Sequence, residues 1–316
     1  MIETVTDQLD VLLLLALPAS GKSEVRRYLD HLDPERARGD MALGPTAQLD
    51  DFPYVHLMRR ISQELRALGE DPLFFATDEA SWREPLDWLT LVHLINDDFA
   101  QMTTGGGEKQ NPSGLLDRID RARALAGAPQ PLRALSSRVR AEVERGITTD
   151  VGDLDPIGAA GADSTIVIEF ARGGPAAAAL PLPAPLGYAA SIATLSDEIQ
   201  TRSSILYVWV EPEESRRRNR ARAVSGPAGD ASILHHGVPE AVMMQEYGTD
   251  DMAWLESQAR TPGTIPVGAA DIPIRRFDNR RDRTSFLRDE PSEWPNKAVD
   301  ALHSDLTRAL LQLAAS

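Results

Sequence analysis

Residues 11–17 are seven consecutive apolar side chains, and they run directly into Pro18-Ala19-Ser20-Gly21-Lys22-Ser23 before helical spacing begins at Ser23. An unbroken apolar run of this length reads as a strand buried on both faces. Such a strand needs a layer of helices on each side, which is the arrangement of a parallel sheet in an α/β fold. The run is far too short to span a bilayer, which takes roughly 18–20 apolar residues.

The rest of the chain is consistent with that start. Strand signals return at residues 165–170, 205–210 and 272–277, and a short strand is expected to end near Leu49. Helical spacing covers 54–68, with Leu57, Ile61, Leu65 and Leu68 on one face, and an amphipathic helix is expected at 295–313. Between 70 and 160 only helical patterns occur, at 86–102, 115–125 and 132–145, punctuated by Gly105, Gly106 and Gly107 and by Pro129 and Pro131. The expected fold is therefore α/β, with a parallel sheet of about five strands and flanking helices. Its core is drawn from 1–69 and 161–316, and 70–160 is an all-helical insertion. The Pro- and Ala-rich stretch 173–187 reads equally as a linker or as a loop leaving a strand end.

Composition narrows the function classes. Of 316 residues, 42% are hydrophobic and 26% charged, the balance of a globular chain rather than a disordered or fibrous one. There is no cysteine, which excludes a disulfide scaffold, a Cys-ligated zinc site and an iron–sulfur cluster. The net charge of −15 is wrong for a general binder of nucleic-acid phosphates. No secretory signal or membrane span is read, so no membrane partner and a cytoplasmic location are expected. Lysine occurs only at Lys22, Lys109 and Lys297, against 30 arginines, so the position of Lys22 carries unusual information.

Residues 16–23 match the pattern G-x-x-x-x-G-K-[ST] at every fixed position except the first, where Ala16 replaces glycine. The physical reason for the pattern is a tight turn that points backbone N–H groups inward at a helix N-terminus. Polyphosphate is then held with few cationic side chains. Pro18, Ala19, Ser20, Gly21, Lys22, Ser23 and Glu24 are the expected nucleotide-binding stretch. Gly21 allows close backbone approach, Lys22 reaches the terminal phosphates, and the Ser23 hydroxyl ligates Mg²⁺.

On this motif and its strand–helix setting the chain resembles the P-loop kinases, the nucleoside- and nucleotide-kinase-like branch of the P-loop NTPases. Further segments in the branch's order extend the resemblance to about half the chain. Gln48-Leu49-Asp50-Asp51-Phe52 is similar to the D-D-F segment ending the second strand, which implies Asp50 as base toward an acceptor hydroxyl and near Mg²⁺, with Asp51 beside it on the substrate. The strand 165–170 ends in Glu169, followed by Arg172. The resemblance implies Glu169 on Mg²⁺ or as the competing base, and Arg172 on the substrate. An ion pair between Glu169 and Arg172 is the alternative. Glu211 to Arg222 resembles the lid helix, implying that Arg216 and Arg220, which share a face at i,i+4, stabilise the transferring phosphoryl group. Asp278 and Asn279 follow the last strand, where the branch borders adenine and ribose.

The resemblance thus implies ATP and Mg²⁺ as cofactors, a small-molecule acceptor, and transfer of the γ-phosphoryl to a hydroxyl or phosphate, with the helical insertion covering the acceptor side. A regulatory NTPase with a protein partner, or a kinase of nucleic-acid ends, is the alternative. The adjacent His235 and His236 are not read as a metal site, because neighbouring side chains rarely face one ion. Trp82, Trp88, Trp254, Trp294, Met243, Met244 and Met252 are expected in the core. Asp97-Asp98 and Asp250-Asp251 are expected at the surface or as caps.

Overall fold

The computed structural model describes residues 8–225, 237–268 and 270–316. The strands are β1 (Val11–Leu15), β2 (Thr46–Asp50), β3 (Thr165–Phe170), β4 (Ser203–Trp209), β5 (Thr264–Val267) and β6 (Ala270–Asp278). The helices are α1 (Lys22–His31), α2 (Pro34–Met41), α3 (Phe52–Ala67), α4 (Asp87–Thr103), α5 (Pro112–Leu125), α6 (Ser137–Gly146), α7 (Thr148–Gly152), α8 (Gly187–Thr194), α9 (Asp197–Arg202), α10 (Pro212–Ser225), α11 (Glu240–Glu246), α12 (Met252–Ser257) and α13 (Asn296–Ala314). His235 and His236 lie outside the described residues. None of the described helices is long and apolar enough to cross a membrane.

The sheet runs β2-β3-β1-β4-β6-β5. Its first five strands are parallel, and β5 joins the edge antiparallel to β6. The expectation of about five strands omits β5, a four-residue Thr-Ile-Pro-Val segment too short to show a period. β1 lies inside the sheet, and all five of its side chains are buried. Alternate residues serve opposite faces. Leu13 and Leu15 join Ile166, Ile168, Ile205 and the helices α4, α8, α9 and α12 in one core. Leu12 and Leu14 join Val167, Leu206 and Val208 under α1, α2 and α13 in the other.

A third apolar cluster belongs to the helical block, built from α3, α4, α5, α6 and α7. The helix α4 serves two cores. Val92, Ile95, Phe99 and Met102 face the sheet, while Trp88, Leu91 and Leu94 face the block. The single helix expected at 132–145 is two elements. A 3₁₀ turn, Pro131–Ala134, precedes α6, whose first turn Ser136 caps by accepting from Val139 N–H.

Three further expectations are corrected. Asp98 is buried rather than superficial, held by Tyr54 and Arg118. Met244 is exposed rather than core. The stretch 173–187 is no free linker, since Gly174 pairs with Thr249 and Leu182 is buried.

Candidate active site

The parallel strands end on one side of the sheet, where loops gather the polar residues. β1 leads straight into α1, and the turn between them is irregular. Ala19 has φ +56° and Gly21 φ +99°. A Cβ on Gly21 would lie 2.4 Å from both Asn279 Nδ2 and Thr284 Oγ1, so glycine is needed for space as well as for conformation. Gly21 is the N-cap of α1 and offers no side-chain acceptor, which leaves the first-turn N–H groups uncapped by a side chain of the described residues. Ala16, which departs from the motif, is fully buried under the turn.

Neighbouring elements brace this turn rather than enter it. Asn279 Nδ2 donates to Ser20 O at 2.7 Å, and its Oδ1 accepts from Arg283 N–H. Ser215, at the start of α10, donates to Pro18 O at 2.7 Å. The fully buried Glu24 takes Arg222 of α10 at 2.5 Å and Arg288 at 2.7 Å. Arg218 reaches Asn279 O. The α10 helix is therefore fastened to the β1–α1 turn at two points, through Ser215 and Arg222.

Lys22, Asp50 and Glu169 converge. Asp50 and Glu169 are register partners at the ends of β2 and β3, and Glu169 also faces Leu14 of β1. Lys22 Nζ lies 3.5 Å from Glu169 Oε1. Arg26, one helical turn beyond Lys22, puts Nη1 2.5 Å from Glu169 Oε2 and 3.5 Å from Asp50 Oδ2. Burial foremost raises the pKa of both acids, Asp51 adds to the rise at Asp50 and Asp50 to that at Glu169, and Lys22 and Arg26 oppose it. The acids differ in access, with the Glu169 side chain 3% exposed and Asp50 20%. Arg26 was not singled out by sequence reasoning. Its only signal is the i+4 spacing from Lys22, which gains meaning once β2 and β3 are known to lie beside β1.

The alternative Glu169–Arg172 ion pair is not formed. Arg172 instead binds Asp51 at 2.6 Å and Ser191 Oγ at 3.0 Å, with its guanidinium over Trp88 and Phe170. Its Nη2 is buried without a partner among the described residues. Asp51 and Arg172 thus form a buried pair next to Asp50, on the side of the helical block.

The remaining candidates sit further out. Arg220 is exposed and pairs with Glu240, while Arg216 pairs with Glu213 and leans toward Gly248 O. The inward arginines of α10 are Arg218 and Arg222. Asp278 pairs with Arg280 at the surface, and Asn279 spends its side chain on the turn.

The donor set suits Mg²⁺. Asp50 and Glu169 offer hard carboxylate oxygens on adjacent strand ends, and the Ser23 hydroxyl has no hydrogen-bond partner among the described residues. No group of three or more His, Asp or Glu side chains gathers among the described residues. The chain matches no family model, and no curated protein or solved structure shows significant similarity to it.

Proposed function

We propose that this protein is a P-loop-type phosphotransferase that moves the γ-phosphoryl of ATP to a hydroxyl or phosphate of a small acceptor. The observation that carries the reading is the meeting of Lys22, Asp50 and Glu169 at the ends of three adjacent parallel strands, beside a helix N-terminus with no side-chain cap. Backbone N–H groups of the β1–α1 turn and Lys22 hold the phosphates. Ser23, Glu169 and Asp50 would hold Mg²⁺, which when bound neutralises charge on the transferring group. Asp50 prepares the acceptor, because it is the more accessible acid while Glu169 is engaged by both Lys22 and Arg26. Asp51 and Arg172 border the acceptor under the helical block. Arg216 and Arg220 would each have to leave a partner, Glu213 and Glu240, to reach the phosphates.

The test is acceptor-dependent release of ADP from Mg–ATP across panels of polyols, nucleosides and their monophosphates. Asp50→Asn should lower turnover at least about a hundredfold, the usual contribution of general-base catalysis, while Mg–ATP still binds. Turnover unaffected by that change would remove Asp50 from the reaction.

A further inference from the structure

One side chain at the site has no role in the proposal above. Arg26 Nη1 alone bridges the two acids, 2.5 Å from Glu169 and 3.5 Å from Asp50, while Lys22 takes the other oxygen of Glu169. The bridging nitrogen therefore stands between the same carboxylates that would hold a divalent cation. Two single positive charges face two acids, so the pair is already neutralised without metal. Asp30, one turn further along α1, adds a third acidic group to the field around Arg26 and is itself held by Thr46 and Gln48.

We propose that Arg26 is a positioning residue that acts as a built-in counter-ion of the Asp50–Glu169 pair and makes metal entry depend on nucleotide. A hydrated dication approaching the two acids meets the charges of Arg26 and Lys22 beside them, and these oppose it. Polyphosphate in the β1–α1 turn draws Lys22 away from Glu169 and brings its own negative charge, so the metal enters with the nucleotide rather than before it. Arg26 also keeps the two carboxylates from repelling each other while the site waits. This inference rests on the phosphotransferase reading.

The experiment omits nucleotide, so its failure is separate from failure of that reading. Parent, Arg26→Met, Arg26→Gln and Arg26→Lys are titrated with MnCl₂ and MgCl₂ alone at constant ionic strength. Manganese binding is read by electron paramagnetic resonance and stability by thermal unfolding. The expected result is weak or absent metal binding by the parent and by Arg26→Lys. Arg26→Met and Arg26→Gln should bind Mn²⁺ tighter by on the order of tenfold or more, and adding Asp50→Asn should abolish that gain. The neutral variants are paired so that one misfolding still leaves the other to decide. Metal binding by the parent equal to that of the folded neutral variant would overturn the proposal, as would no gain on removing the charge.

Discussion

Gly21 shows how much one residue can be asked to do. Its φ of +99° lies where side chains are strained, and its missing Cβ leaves room for the Asn279 and Thr284 side chains that brace the turn. Gly21→Ala should therefore cost on the order of 1–3 kcal/mol of stability and weaken Mg–ATP binding, read by urea unfolding and by equilibrium dialysis. A neutral result would mean the turn relaxes freely. At this scale Gly21 and Lys22 are legible from the sequence, since a fixed spacing after an apolar run states their setting. The partners of the acids are not. Whether Glu169 meets Arg172, two positions after β3 ends, or Arg26, far earlier in the chain, depends on which strand lies beside which, and only the sheet order decides it.

At the scale of elements, α10 is the clearest case of a pattern that hides its packing. Its arginines point in all directions, and no apolar stripe marks a buried face. The structure buries Arg218 and Arg222 by giving them Asn279 O, Glu214 and Glu24, so the anchoring face is ionic and leaves no hydrophobic signal. The turn is braced from the other side by the segment after β6. Asn279→Ala removes donors to Ser20 O and to the Thr284 hydroxyl in a fully buried place. It should cost about 1–3 kcal/mol, the range for leaving buried groups unpaired, and should lower the melting temperature by several degrees. A second element-scale prediction concerns α8. The buried Asp251 accepts from Tyr188 N–H and Ala189 N–H at its first turn, so Asp251→Ala should cost about 1–2 kcal/mol in chemical denaturation. An unchanged midpoint would show that water replaces the cap. The strands and long helices are legible from periodicity. β5 is not, because a four-residue edge strand containing Pro266 owes its place to β6.

Across the whole molecule, two contacts among the described residues do much to join the sheet and the helical block, besides the buried Asp51–Arg172 pair. One is α4, apolar on both sides. The other is the stretch 238–251, which touches α10 through Asn219–Val238 and Arg220–Glu240, the loop after β3 through Gly174–Thr249, and the block through Trp82 N–H to Glu246. Glu246 is buried there, and burial raises it from the ordinary glutamate range to about 7, against the help of Trp82 N–H and Ser81. The folded protein then holds a proton that the unfolded chain releases from about pH 4.5 upward. Stability should fall as pH rises from about 4.5 through 7, by on the order of 3 kcal/mol from this group, and Glu246→Gln should flatten that limb. An unchanged slope in the variant would assign the dependence elsewhere. None of this joint is legible from the sequence, since Glu246 sits among unremarkable helical residues.

We propose the β1–α1 turn with Lys22 as a nucleotide-phosphate site. The most direct measurement is thermal unfolding of the parent and of Lys22→Ala, each with and without Mg–ATP. A ligand at 100 times its dissociation constant adds about 2.7 kcal/mol, enough to move a domain of this size by a few degrees. A rise of that order is expected in the parent and its loss in Lys22→Ala, each measured against the same protein without ligand, because the substitution also removes the ion pair with Glu169. No rise in the parent, or an equal rise in Lys22→Ala, would contradict it.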